Sequence, residues 1–175
     1  MPSAGDFKQS ISSGLIRQHR WRILVNFPSF AAANESTRRA DLHARTAKTP
    51  NGTLGELDLK FDGLDVPIPG DRTYEELPIT FLGVQDMEVM EAFEAWQEAI
   101  NGTTSNTAQV TQAEYEVDME MQLVDANDNV LKTYTIEAAW PKEIEGMDLD
   151  KGASDSYAEF TVTFRFFRAY SNRTR

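Results

Sequence analysis

The stretch Glu114-Tyr115-Glu116-Val117-Asp118-Met119-Glu120-Met121-Gln122-Leu123 alternates without a break. Tyr115, Val117, Met119, Met121 and Leu123 fall on one side, and Glu114, Glu116, Asp118, Glu120 and Gln122 on the other. Successive side chains of a strand point to opposite faces, so this spacing predicts a strand with one apolar and one acidic face. Like charges on neighbouring positions of one face repel, so the row carries a cost. A surface that must repel another polyanion has a use for it.

The stretch continues into a hairpin. Asp125-Ala126-Asn127-Asp128-Asn129 is rich in turn formers, and Val130 to Trp140 follows as the return strand. Val130, Tyr134, Ile136, Ala138 and Trp140 share its expected core face, and Pro141 is expected to stop it. An acidic loop over 143–155 leads to a last strand over 157–168. Ala158, Phe160, Val162, Phe164 and Phe166 form its apolar face.

Upstream of the hairpin, one helix is expected over residues 86–101. Asp86 is its N-cap, Val89, Phe93, Trp96 and Ile100 form its apolar stripe, and Asn101-Gly102 closes it. Before it, Leu77, Ile79 and Phe81 share a strand face, and Pro78 marks an edge or a bulge. Val66 to Tyr74 reads as extended backbone turned at Gly70-Asp71. Residues 37–61 read as a long polar hairpin around the turn Thr49-Pro50-Asn51-Gly52. Its few large apolar groups imply that it docks on something else. Trp21, Ile23, Val25 and Phe27 share the face of the first strand, which Pro28 ends.

These segments give six or seven strands, one helix and no alternation of strands with helices. The expected fold is mainly β: an antiparallel sandwich or barrel with one flanking helix. The expected divisions are an arm over 1–19, a barrel domain over 20–168 and a basic tail over 169–175. A chain of 175 residues can bury roughly 70% of its unfolded surface, so a real core is available. There is no Cys, which excludes disulfides and thiolate metal sites. No apolar run approaches the length of a membrane helix, and the polar N-terminus does not resemble a signal peptide. The expectation is a cytoplasmic product without a membrane anchor.

Charge is unevenly spread. Residues 1–50 hold eight Lys/Arg against three Asp/Glu, residues 51–163 five against 25, and residues 164–175 four against none. An acidic body argues against general nucleic-acid binding by that body. Basic ends flanking it suit a subunit whose ends meet the acidic parts of its neighbours. The other reading is a pair of solvated tails.

Enzymatic readings find little support. The carboxylates are uniformly spaced along one face rather than set as two groups in contrasting environments. His19 and His43 have no Cys or second His nearby, so no metal or other cofactor is expected. No phosphate-cradling glycine loop and no G-x-S-x-G motif is present. A carbohydrate-binding β-sandwich is the alternative of another class.

The order of landmarks carries a resemblance. A strand ends near Phe27, a polar hairpin follows, and Gly70-Asp71-Arg72-Thr73-Tyr74 leads into a strand. A helix with Trp96 near its end comes next, then a hairpin ending Ala139-Trp140-Pro141, then a final strand. Over residues 15–170 or so this resembles the tail tube proteins of contractile-tailed, T4-like phages. The 19-residue lead and the six-residue basic tail depart from the pattern. The resemblance implies a non-catalytic virion protein, assembled in the host cytoplasm. It implies hexameric rings of this chain, stacked into a hollow tube that conducts DNA during ejection. The implied partners are a sheath protein, a baseplate tube initiator, a tape measure protein and a tail terminator. An initiator, or the tube of a phage-like injection or secretion device, would share the fold.

On this reading Glu114, Glu116, Asp118 and Glu120 line the lumen and repel DNA. Gly70, Asp71, Arg72, Trp140 and Pro141 serve turns and assembly, with Arg72 pairing a carboxylate within the sheet or across the subunit boundary. Arg38, Arg39, Arg45, Lys48, Arg173 and Arg175 are candidates for contacts between rings, with the 37–61 hairpin.

Overall fold

The hairpin 117–144 is the frame on which the other strands are laid. In the computed structural model, which describes residues 3–12, 14–31, 35–154 and 156–174, β6 (Val117–Val124) pairs antiparallel with β7 (Val130–Ile144). Their turn is held by Asp125, whose Oδ1 accepts the amides of Asn127 (2.7 Å) and Asn129 (2.9 Å). The other strands are β1 (Trp21–Val25), β2 (Ala44–Ala47), β3 (Gly52–Phe61), β4 (Leu64–Tyr74), β5 (Leu77–Leu82), β8 (Glu159–Arg165) and β9 (Arg168–Ser171). Among the described residues four helical segments accompany them: α1 (Ala4–Ser10), α2 (Ser36–His43), α3 (Glu88–Ile100) and α4 (Gln112–Tyr115). The main sheet runs β1-β6-β7-β8-β5-β2, with β9 added to β7, and β3–β4 form a separate ribbon.

One strand, β7, serves both halves of the sheet. Its first half pairs with β6 and β9, and its second half, from Trp140, pairs with β8. The change is made at Ala138, whose φ of 53° is left-handed, and where the register with β6 slips between Val117 and Met119. The Ala138 amide, freed from the ladder, donates to Asp118 Oδ1 at 3.1 Å. The extra residue inverts the alternation. Ile136 is buried, but so are Ala139 and Pro141 rather than Ala138 and Trp140. Nor does Pro141 end the strand. It sits opposite Phe164 beside a second register shift, the kind of irregularity where a missing amide donor is tolerated.

Folding over at this point sets Ile23, Val25, Met119, Met121 and Ile136 against Leu77, Ile79, Phe81, Phe160, Val162 and Phe164. Helix α3 closes the core with Val89, Phe93 and Trp96. Of the expected stripe, Val89, Phe93 and Trp96 are buried and Ile100 is half-buried, and the helix begins at Glu88. Met87 is the N-cap residue, with a left-handed φ of 53°, while Asp86 Oδ1 only reaches the Glu88 amide at 3.4 Å.

The strain at Ala138 has a measurable consequence. A left-handed alanine costs about 1–2 kcal/mol, whereas glycine adopts this region freely and gives back part of the gain as unfolded-state entropy. Ala138→Gly should therefore stabilise the dispersed protomer by about 0.5–1 kcal/mol. The check is a higher urea midpoint at unchanged slope.

Several expected boundaries move. Residues 37–43 are not extended but lie in α2, which buries only Ser36 and Ala40 and leaves Leu42 exposed, so no apolar stripe announces the helix. The long hairpin is 52–74, not 37–61, and it turns at Asp62-Gly63, both with positive φ. Gly70-Asp71 does not turn the chain. The two residues sit within β4 at a register shift opposite Gly55, where a Cβ on Gly70 would stand 3.2 Å from the Gly55 carbonyl carbon. The basic tail is not a free arm from residue 169, because Arg168 to Ser171 form β9. The first strand is Trp21–Val25, and Pro78 lies just past the end of β2, whose pairing stops at Ala47 opposite Ile79.

Candidate assembly surfaces

The acidic row is half as long as its spacing implies. Thr111 and Glu114 form a capping box at the start of α4, so Glu114 is helical. Its carboxylate accepts the Thr111 amide (2.7 Å) and hydroxyl (2.8 Å), and these bonds hold its pKa below the usual carboxylate range. Glu116 follows as the C-cap and accepts from Gln112 Nε2 at 2.7 Å. Only Asp118 and Glu120 lie on β6. Glu120 stands between Leu24 of β1 and Thr135 of β7, opposite the buried Met119 and Met121. The outer face of β1-β6-β7-β9 is polar and mixed. Its arginines are matched: Arg22 to Asp128 at 3.2 Å, and Arg168 to Glu137. Asp118 and Glu120 carry its acidic excess.

The two borders of this half-sheet, β1 and β9, have no strand partner on their outer sides among the described residues. On each, one outward amide is capped by a side chain, and α2 packs beside β1. Asp41, on α2, takes the Ile23 amide at 2.9 Å, and Thr174 Oγ1 takes the Ser171 amide at 2.8 Å. An open strand edge templates unwanted pairing, and a side-chain acceptor on an outward amide blunts it. Neither guard is visible in a sequence pattern, because each bridges elements that only the fold brings together.

The β3–β4 ribbon is amphipathic. Leu57 pairs with Ile68, Leu59 with Val66 and Phe61 with Leu64 on one face, while Glu56, Asp58, Lys60 and Asp65 lie on the other. None of these residues is buried. The expected polar hairpin is therefore polar on one side only. Asp62-Gly63 between alternating runs was the signal that locates its turn.

The basic candidates separate into two groups. Arg39 is braced by Asp86 and by Glu88, the latter at 2.9 Å, and Arg45 pairs with Glu159 at 2.8 Å beneath the Tyr157 ring. Both are committed within the protomer. Arg38 only approaches Glu35 at 3.9 Å, and Lys48 and Arg173 are exposed. Arg175 lies outside the described residues. Arg72 faces Leu54 across the ribbon and has no ion pair among the described residues. Trp140 meets Tyr115 edge-on at 6.5 Å, and the carbonyls of Pro141 and Lys142 accept from Gln97 Nε2 on α3. Among the described residues no cluster of His, Asp and Glu has the makings of a metal site, and no helix is long and apolar enough to cross a membrane.

The family model for "Phage tail tube protein" matches residues 17–172. The chain belongs to the phage tail tube protein family. The tail tube protein of Serratia phage KSP90 is 45% identical over 177 residues, covering 100% of both chains. Solved structures of low identity share the fold. One is the tube-terminating cap of the anti-feeding prophage (TM-score 0.67, 15% identity, 93% of each chain). Another is the sheath–tube complex of the extracellular contractile injection system PVC (TM-score 0.61, 13% identity, 98% of this chain and 99% of that one). The chain is thus a structural tail tube protein of a phage, a virion component. In tail tube terms its outward features are a polar half-sheet with guarded edges, an amphipathic ribbon and an N-terminal arm.

Proposed function

We propose that six copies of this chain close into a ring and that rings stack into the tube of a contractile tail. The half-sheets β1-β6-β7-β9 face a common bore through which DNA leaves the virion. The observation that carries this reading is a sheet with one face spent on its own core, one face polar, and two edge strands that no further strand covers among the described residues. Pairing β9 of one protomer with β1 of the next would exchange the Asp41 and Thr174 guards for a continuous ladder and leave no open edge. Tubes by negative-stain electron microscopy of the purified protein are the expected result. A solitary particle at every concentration overturns the reading.

Within the tube, Asp118 and Glu120 are the wall charges, while Glu114 and Glu116 sit on α4 and its cap, off the strand. At physiological salt the screening length is about 8 Å, so such a ring repels DNA only close to the wall. Repeated up the tube, it keeps phosphates from adhering. Glu120 is the better probe, since Asp118 also holds the Ala138 amide. Glu120→Lys should leave tubes intact and slow DNA ejection several-fold, with the delay shrinking as salt rises. Ejection at the wild-type rate would place Glu120 off the bore.

The outer wall meets a sheath protein. The first ring seats on a baseplate initiator, a terminator closes the last, and a tape measure protein occupies the bore before DNA does. Assembly takes place in the host cytoplasm. No catalytic step belongs to this reading.

A further inference from the structure

A cleft of about 500 Å3 opens between the start of β1 and β2. Trp21, Ala47, Met121 and Leu123 give it an apolar lining, with His19 and Arg45 at its sides. Met121 is buried, whereas Trp21, Ala47 and Leu123 are half-buried, so the lining faces an opening rather than a sealed core. None of the nine lining residues is acidic, in a chain of net charge −11. Arg45 is already matched by Glu159. Arg17 precedes the lining residues Gln18 and His19, and Lys48 lies between Ala47 and Thr49. Both are exposed and have no ion pair among the described residues. An apolar floor under an unmatched cationic rim suits an acidic segment with one apolar side chain to insert.

The chain carries such a segment in the connection from β7 to β8, Glu145-Gly146-Met147-Asp148-Leu149-Asp150. Its conformation is fixed at both ends. The Glu145 amide donates to the Thr161 carbonyl at 2.8 Å, and Met147 packs against the core with its Sδ beside Gly83. Asp150 Oδ1 then accepts the Gly152 amide at 2.8 Å and closes a turn. Between these anchors Leu149 stands out at 84% exposure, the most exposed large apolar side chain among the described residues. Asp148 and Asp150 flank it, exposed and without an ion pair among the described residues.

We infer that Leu149 of one copy inserts into the β1–β2 cleft of a neighbouring copy, with Asp148 and Asp150 set against Arg17 and Lys48. Within a protomer the loop leaves its own cleft alone, since Leu149 is solvated. The inference rests on the tube reading, which brings a neighbour to the β1 edge beside the cleft. The contact joins two different patches, so it repeats from copy to copy instead of closing a pair.

A charge exchange tests it. Asp148→Lys with Asp150→Lys should raise the concentration needed for tubes about tenfold, a loss of about 1.4 kcal/mol per contact. Arg17→Glu with Lys48→Glu should do the same. The chain carrying all four changes should return to within about twofold of wild type, where independent effects would multiply to about a hundredfold. Circular dichroism of each dispersed chain should match wild type. A second measurement needs no charge change. The chain has no Cys, so an introduced thiol is unique. Tubes grown from an equal mixture of Leu149→Cys and Thr49→Cys chains and treated with a short bis-maleimide should yield a covalent dimer of the two variants, identified by mass spectrometry. It should be absent when Thr103→Cys replaces Thr49→Cys. Tubes that form with neither the rescue nor the dimer overturn the loop contact and leave the tube reading standing. So does a Leu149→Cys/Thr49→Cys double variant that links within one dispersed chain. A wild-type chain that builds no tubes overturns both.

Discussion

Ala169→Pro should give a protomer that folds and no longer builds rings. The argument rests on which way the β9 amides point. Asn172 donates to the Thr133 carbonyl of β7 at 3.1 Å, and in an antiparallel strand every second residue faces the same neighbour. Tyr170 and Arg168 therefore face β7, while Ala169 and Ser171 face outward, as the Ser171 bond to Thr174 attests. The protomer does not use the Ala169 amide in its own ladder. Proline there removes a donor only from a strand yet to arrive, and its ring stands in that strand's place. Thermal unfolding of the dispersed chain should shift by no more than about 1 kcal/mol, the range of an edge-strand substitution. Rings should vanish by electron microscopy, and sedimentation should report a monomer. Tyr170→Pro is the counterpart, because it strikes the inner ladder and should cost the protomer its stability. Normal tubes from Ala169→Pro would mean that rings close elsewhere.

That such an edge exists was legible only in part. Alternation of large residues located the 114–140 hairpin and the apolar faces of β1, β5 and β8, since a core built from Ile23, Met119, Ile79 and Phe164 must space its residues by strand geometry. Alternation also overran its strand. Glu114 fits the pattern but has a stronger local partner in Thr111, and the capping box, a Thr followed three residues later by Glu, was there to be read. Residues 36–43 escaped because α2 buries only small residues and so casts no periodic shadow. The bulge at Ala138 escaped because a left-handed alanine has no composition cue, and with it went the true core face of β7 beyond Ile136. Among the charged candidates, counting charges could not tell Arg39 and Arg45, spent on internal carboxylates, from Lys48 and Arg173, which are exposed and have no ion pair among the described residues. The polar surface is where sequence patterns stop speaking. Its partners are chosen by the fold, and in a ring-former by the next copy.

Trp96→Ala should be the most damaging single change to the protomer. Trp96 is fully buried among Phe27 (5.8 Å between ring centres), Phe93 (6.4 Å) and Phe164 (6.5 Å). Removing a buried Trp side chain costs about 3–5 kcal/mol through lost burial and the cavity left behind. A second loss adds to it. Trp96 Nε1 donates to the Tyr115 carbonyl at 2.9 Å, and Tyr115 is the last residue of α4, one residue ahead of β6. The indole thus ties α3 to the point where the chain enters the central hairpin. Domains of this size are stable by roughly 5–15 kcal/mol, so the variant should be marginal or unfolded. Trp96→Phe separates the two contributions. It keeps most of the packing and gives up the bond to Tyr115, which should cost about 1–2 kcal/mol. Urea unfolding of the dispersed chain measures both variants. If alanine cost less than about 2 kcal/mol, α3 would be an attachment rather than a wall of the core, and the folded-over sheet would have to hold Phe81, Phe93 and Phe164 without it.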